Sequence, residues 1–269
     1  MGGMGPEATA DLMQRIIRLT SAKCDQDHIR CFIDNNPKVP NRYKAIVEGS
    51  IESAGPHVVA MAKQLESWGS DFLAMPCNSA HYYLLEIQAA VKIPVLDMMS
   101  IALDSVSRHF EKQRLEGQQS EKQSPRLVGL LGTPVLRFAR LYEEKAWARG
   151  LEIIYPVEAD GQKIFDLINA VKAGENSCSR KEEEMSKTLW QVALNMADQG
   201  VEAVVLACTE LGLIPLEAPL RYTLGTSLRD TMETSETSLR NSLLLSRLPV
   251  FDAAEELARE IVRFAKSDD

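Results

Sequence analysis

One unit occurs twice in this chain, and each copy ends on a cysteine. The first runs Met61-Ala62-Lys63-Gln64-Leu65-Glu66-Ser67-Trp68-Gly69, then Ser70-Asp71-Phe72-Leu73-Ala74-Met75-Pro76, then Cys77-Asn78-Ser79-Ala80-His81. The second runs Val192-Ala193-Leu194-Asn195-Met196-Ala197-Asp198-Gln199-Gly200, then Val201-Glu202-Ala203-Val204-Val205-Leu206-Ala207, then Cys208-Thr209-Glu210-Leu211. Each reads as a helix closed by glycine, a short apolar strand and a cysteine followed by polar residues. Gly69 to Cys77 and Gly200 to Cys208 both span eight positions. Helices alternating with apolar strands favour parallel sheets covered by helices. A duplicated unit of this kind can set two sulfurs facing each other across a cleft at the strand ends.

Further landmarks recur in the same order. Gly3-Met4-Gly5-Pro6 and Gly132-Thr133-Pro134 each open a helix, with proline suited to the first turn. Ile93-Pro94-Val95-Leu96-Asp97 matches Leu248-Pro249-Val250-Phe251-Asp252. The expected fold is therefore α/β: two pseudo-symmetric doubly wound lobes with parallel sheets and a cleft between them. The first lobe is assigned to 1–113, a polar linker to 114–125 and the second lobe to 126–269, with the option that the lobes exchange terminal segments. Helices are predicted from Pro6 to about Ala22, from about Met99 to Gln113 and from Pro134 to about Gly150, and strands at Ile29–Ile33 and Ile93–Leu96.

The repeat is imperfect in two places. Cys77 to Pro94 is 17 positions and Cys208 to Pro249 is 41, so the second half carries roughly 24 extra residues, read as a surface insertion at about 222–246. A full strand, Arg126-Leu127-Val128-Gly129-Leu130-Leu131, precedes Gly132, whereas only Met1 and Gly2 precede Gly3. A first strand is thus expected to be missing, through a late start or a truncation.

Composition narrows the function classes. With 269 residues, 45% of them apolar, the chain can build sizeable cores. A net charge of −8 argues against a general nucleic-acid surface. No apolar run is long enough to span a membrane and no signal peptide is visible, so a cytoplasmic location is expected. Five cysteines without a C-x-x-C pair do not form a disulfide framework.

Two thiols on opposite sides of a carbon acid can work as a pair, a thiolate removing a proton from one face while a thiol delivers one to the other. The base must be a thiolate, and both cysteines stand between a strand end and an expected helix, where donors that lower a thiol pKa gather. His81 lies four residues after Cys77, but no further His or Cys completes a metal set, so it is expected to orient the helix end or tune the thiol. Glu210 either sets the charge of Cys208 or caps a helix. Cys24, Cys31 and Cys178 have no repeat partners and read as ordinary residues, and the Lys181-Glu182-Glu183-Glu184 run reads as a solvated helix face.

Gly2-Gly3-Met4-Gly5-Pro6-Glu7-Ala8-Thr9, Asn36-Pro37-Lys38-Val39-Pro40-Asn41-Arg42, Pro76-Cys77-Asn78-Ser79-Ala80-His81 and Ala207-Cys208-Thr209-Glu210 together resemble the aspartate/glutamate racemase family, the Arg42 motif matching its aspartate racemase branch. The resemblance covers nearly the whole chain apart from the linker and the insertion. It implies that Cys77 and Cys208 are catalytic acid/base residues and that Asn78, Ser79 and Thr209 hold the α-carboxylate. It implies that Arg42 and Lys163 grip the side-chain carboxylate, while Met4 in its glycine turn brings backbone to the ligand. The chain departs from the family pattern in Ser79, where threonine is usual, and in the missing strand, the insertion and the long linker.

The expected activity is racemisation of an acidic amino acid, aspartate first, without pyridoxal phosphate, metal or nucleotide, since no glycine-rich phosphate loop calls for one. Glutamate, one methylene longer, is the nearest alternative, followed by other isomerases of the superfamily. A rival of a different class is a catalytically silent binder of an acidic ligand. Because family members commonly pair, a homodimer is open.

Overall fold

The computed structural model describes residues 1–117, 125–177, 179–215 and 248–267. Four strands, β1 (Arg126–Leu131), β2 (Leu151–Ile154), β3 (Ala203–Leu206) and β4 (Val250–Asp252), form one sheet in the order β2-β1-β3-β4. Every neighbouring pair is parallel. Side chains of β1 and β3 alternate between two cores: Val128, Leu130, Ala203 and Val205 enter one, Leu131, Val204 and Leu206 the other. Burial on both faces is why these strands read as continuous apolar runs.

One face of the sheet is covered by α8 (Glu158–Lys172) and α9 (Ser179–Asp198). The other packs on α1 (Pro6–Leu19), α5 (Met98–Leu115) and α10 (Ala253–Ala265). Leu257 and Ile261 on α10 are buried there, each contributing roughly 1.5–3 kcal/mol by leaving water. Phe72, Ala74 and Leu96 of the first half pack against the same cluster. Thus α1, α5 and α10 make a layer shared by both halves.

The two aspartates matched by the repeat do equivalent work. Asp97 accepts from the N–H groups of Met99 and Ser100 to cap α5, and Asp252 accepts from Ala254 N–H to cap α10. Each also pairs across the halves, Asp97 with Lys145 at 2.6 Å and Asp252 with Arg15 at 2.6 Å.

The first half departs from its expected sheet. Among the described residues, segments 29–35, 73–75 and 94–96 form no ladder and carry only the isolated parallel bridges Gly2↔Asn35 and Leu73↔Val95. The physical reason lies in the position that β1 fills in the second half. There β1 lies between β2 and β3, whereas among the described residues of the first half no strand lies between the flanking segments to share their hydrogen bonds. Three helix ends also differ. The first helix stops at Leu19, α5 continues to Leu115, and the helix expected from Pro134 is two short ones, α6 (Pro134–Phe138) and α7 (Glu143–Trp147), parted around Arg140 at φ 51°. Most of the linker and the whole 222–246 insertion lie outside the described residues.

Candidate active site

Both sulfurs are buried, Cys77 at 5% exposure after the segment bridged at Leu73 and Cys208 at 7% just past β3. Helical residues follow each cysteine, starting as 3₁₀ turns: Asn78–Tyr83, which runs into an α-helix at Leu84–Ala90, after Cys77, and Leu211–Leu213 after Cys208. A direct bond joins the two loops, Thr209 Oγ1 donating to Pro76 O at 3.3 Å. The residue after one cysteine therefore holds the residue before the other.

The surroundings of the sulfurs differ. Cys208 Sγ donates to Glu210 Oε2 at 3.0 Å, and Lys172 Nζ lies 3.5 Å from Glu210 Oε1. Burial first, and then the Glu210 carboxylate, push the Cys208 thiol well above its ordinary range, with Lys172 acting in the opposite sense. Cys208 is therefore a protonated thiol. Cys77 Sγ has Ser79 Oγ at 3.6 Å. His81 is fully enclosed, with Nδ1 2.8 Å from Cys77 O and Nε2 3.2 Å from Met98 N–H. Because Nε2 must accept from that N–H, Nδ1 carries the proton and donates to Cys77 O. Burial lowers the imidazole pKa, which keeps this neutral form. His81 thus ties the Cys77 loop to the start of α5.

Several buried polar groups near the cysteines have no partner. Tyr142, fully buried, donates its hydroxyl to Asn78 Oδ1, which leaves Asn78 Nδ2 without an acceptor. Arg42 Nη1 donates to Val39 O and Pro40 O at 3.2 and 2.9 Å, and Nη2 to Met4 O at 3.3 Å. Its Nε–H is unpaired, as is Thr133 Oγ1. Arg42, Lys172, Ser79 and Thr133 line one cavity of about 240 Å³. Arg42 and Lys172 also line a second, of about 540 Å³, with Met4, Gly5 and Glu210. Uncommitted buried donors beside two cations are what an anionic ligand would satisfy. Gly3 shapes this entrance: at φ +90°, its backbone runs so close to Asn36 that a Cβ would fall 2.3 Å from Asn36 backbone.

Residues 1–235 match the Asp/Glu/Hydantoin racemase family. The chain belongs to that family. RacX of Bacillus subtilis strain 168, a broad specificity amino-acid racemase, is 25% identical over 218 residues, which cover 80% of this chain and 85% of RacX. Among solved structures, the aspartate racemase of Picrophilus torridus aligns with a TM-score of 0.70 at 25% identity, over 98% of this chain and 91% of its own. A glutamate racemase from Bacillus anthracis shares the fold, with a TM-score of 0.58 at 17% identity over 97% and 79% of the two chains. The family and these relatives mark the chain as an amino-acid racemase, an isomerase.

Most of the residues singled out from the sequence converge. The Thr209–Pro76 bond brings the Cys77–Ser79 segment beside Cys208 and Thr209, and Arg42 reaches the Met4 carbonyl. The single Thr209 hydroxyl proton has two acceptors at 3.3 Å, Pro76 O and Glu210 Oε2, so the side chain has no second proton for a ligand. Lys163 does not join the group. Its Nζ pairs with Asp160 at 2.7 Å, its side chain is 51% exposed, and it lines neither cavity. The cation beside the cysteines is Lys172. The two lysines are nine residues apart on α8, about two and a half turns, so they sit on opposite edges of one apolar stripe. Periodicity alone does not choose between them; the carboxyl end of α8 does, because it faces Arg42 and Glu210. Tyr142 and Thr133 had no motif to mark them.

Proposed function

We propose that this racemase interconverts the enantiomers of an acidic amino acid, aspartate foremost, without a cofactor, with Cys77 and Cys208 as the two proton-transfer groups. The observation that carries this reading is the Thr209–Pro76 hydrogen bond, which locks the two cysteine loops together. Cys208, a thiol beside Glu210, holds a proton ready for delivery to the α-carbon. Cys77, as thiolate, takes the proton from the opposite face, and reversal exchanges the roles. Asn78, with its amide turned by Tyr142 so that Nδ2 is free, Ser79 and the Thr209 backbone N–H receive the α-carboxylate. Arg42 Nε–H and Lys172 receive the distal carboxylate, and two cations there favour an acidic side chain.

The test is incubation of the purified chain with L-aspartate or L-glutamate, followed by chiral chromatography. The expected result is D-aspartate approaching an equal mixture, formed faster than D-glutamate. No D-enantiomer of either would overturn the reading and favour a silent binder. Faster conversion of glutamate would overturn the substrate order.

A further inference from the structure

The cavity of about 240 Å³ beside Arg42 and Lys172 has an aromatic wall that the proton chemistry does not use. From the second half, α8 lines the cavity with Phe165, Asn169 and Lys172. Steps of four and then three residues stack these side chains on one helix face. From the first half, α2 (Arg42–Ile46) lines it with Arg42 and its neighbour Tyr43. The rings of Tyr43 and Phe165 meet across the halves, with centroids 5.0 Å apart and planes tilted by 42°.

Both ring carriers are anchored. The Arg42 guanidinium donates to Val39 O, Pro40 O and Met4 O, and the Asn41 side chain accepts from Lys44 N–H, which together fix α2. Ile164 and Ile168, on either side of Phe165, are fully buried in the second core and fix α8. The larger cavity next to the same cations, of about 540 Å³, is lined by neither ring. The smaller one is also where Ser79 and the unpaired Thr133 hydroxyl lie, so an acidic ligand finds donors and a wall in one place. A carboxylate held by Arg42 and Lys172 gains from those cations only if it stops short of the rings. Pushed further, it meets bulky apolar groups whose faces carry negative charge density.

We propose that Tyr43 and Phe165 set the length of the acidic side chain accepted by this site, leaving room for one methylene before the distal carboxylate and working against two. This rests on the acidic-substrate reading above and adds the residues that choose among acidic substrates.

The test separates binding from turnover. Dissociation constants for succinate and glutarate, achiral dicarboxylates that differ by one methylene, are measured by calorimetry on the unaltered chain, Phe165→Ala, Tyr43→Ala and Phe165→Tyr. The unaltered chain is expected to prefer succinate by about tenfold or more, the scale of one methylene in a fitted pocket. Each alanine variant is expected to cut that preference below about threefold, by tightening glutarate rather than by loosening both ligands. Phe165→Tyr, which keeps a ring, is expected to retain it. Alanine variants that keep the full preference, or that lose affinity for both ligands equally, would overturn the proposal, and so would an unaltered chain that binds neither ligand or prefers glutarate. Selective binding with no formation of D-aspartate or D-glutamate would instead overturn the racemase reading and leave the length rule standing.

Discussion

Cys77 and Cys208 stand at matched positions of a repeat, yet the groups that meet their sulfurs are different. Around Cys208 stand a carboxylate at 3.0 Å and an ammonium beyond it, while the Thr209 hydroxyl reaches Pro76 O. Around Cys77 stand a serine hydroxyl and a neutral histidine that touches only the backbone. The repeat sets where the sulfurs are, while burial and Glu210, two residues after Cys208, hold that thiol protonated. The proposed two-thiol mechanism uses this asymmetry, with the protonated Cys208 as the proton donor.

Removing either sulfur tests the comparison most severely. Cys77→Ala and Cys208→Ala are each expected to lower the rate of D-aspartate formation by about 10²–10⁴-fold, and a variant keeping more than a tenth of the rate would break the pairing. Lys172→Met is expected to raise KM for aspartate about 10–100-fold, the worth of one charge-assisted hydrogen bond, with Lys163→Met changing it less than about twofold because that side chain is paired and exposed. An equal response from the two lysines would return the assignment to Lys163.

Glu210→Gln sharpens the difference between the cysteines. The Glu210 carboxylate raises the Cys208 pKa, so its neutral amide lets the thiol ionise at lower pH. The alkaline limb of the pH–rate profile should move to lower pH, in step with thiolate absorbance. A limb that stays put would mean Glu210 does not hold the Cys208 proton. The smallest expected effect is that of Tyr142→Phe. It leaves Asn78 Oδ1 without its donor, at about 1 kcal/mol, or about 2–4 °C of Tm in a chain of this size. The Asn78 amide is then free to turn, and KM should rise a few-fold while kcat changes less. Unchanged KM with a lowered Tm would make Tyr142 purely structural.

Much of this was legible in the sequence because it rests on short-range pattern. The glycine–strand–cysteine unit located both sulfurs, apolar runs located β1 and β3, and the matched aspartates marked the starts of α5 and α10. Three features were not legible. The first-half segments have strand-like sequences but form only isolated bridges among the described residues, and a ladder is a property of neighbours that propensity does not encode. Lys163 and Lys172 flank the same stripe, so only the direction of α8 separates them. Tyr142 is 64 positions from Asn78 and meets it only through the packing of the halves.

The most direct test of two-thiol chemistry locates the label in the first turnovers of L-aspartate in D₂O. The account expects the D-aspartate formed to carry α-deuterium while the remaining L-aspartate keeps its α-proton, because a different group serves each face. D-aspartate that retains the original proton, or recovered L-aspartate that gains deuterium at the same rate, would indicate a single base serving both faces and contradict the paired-cysteine mechanism.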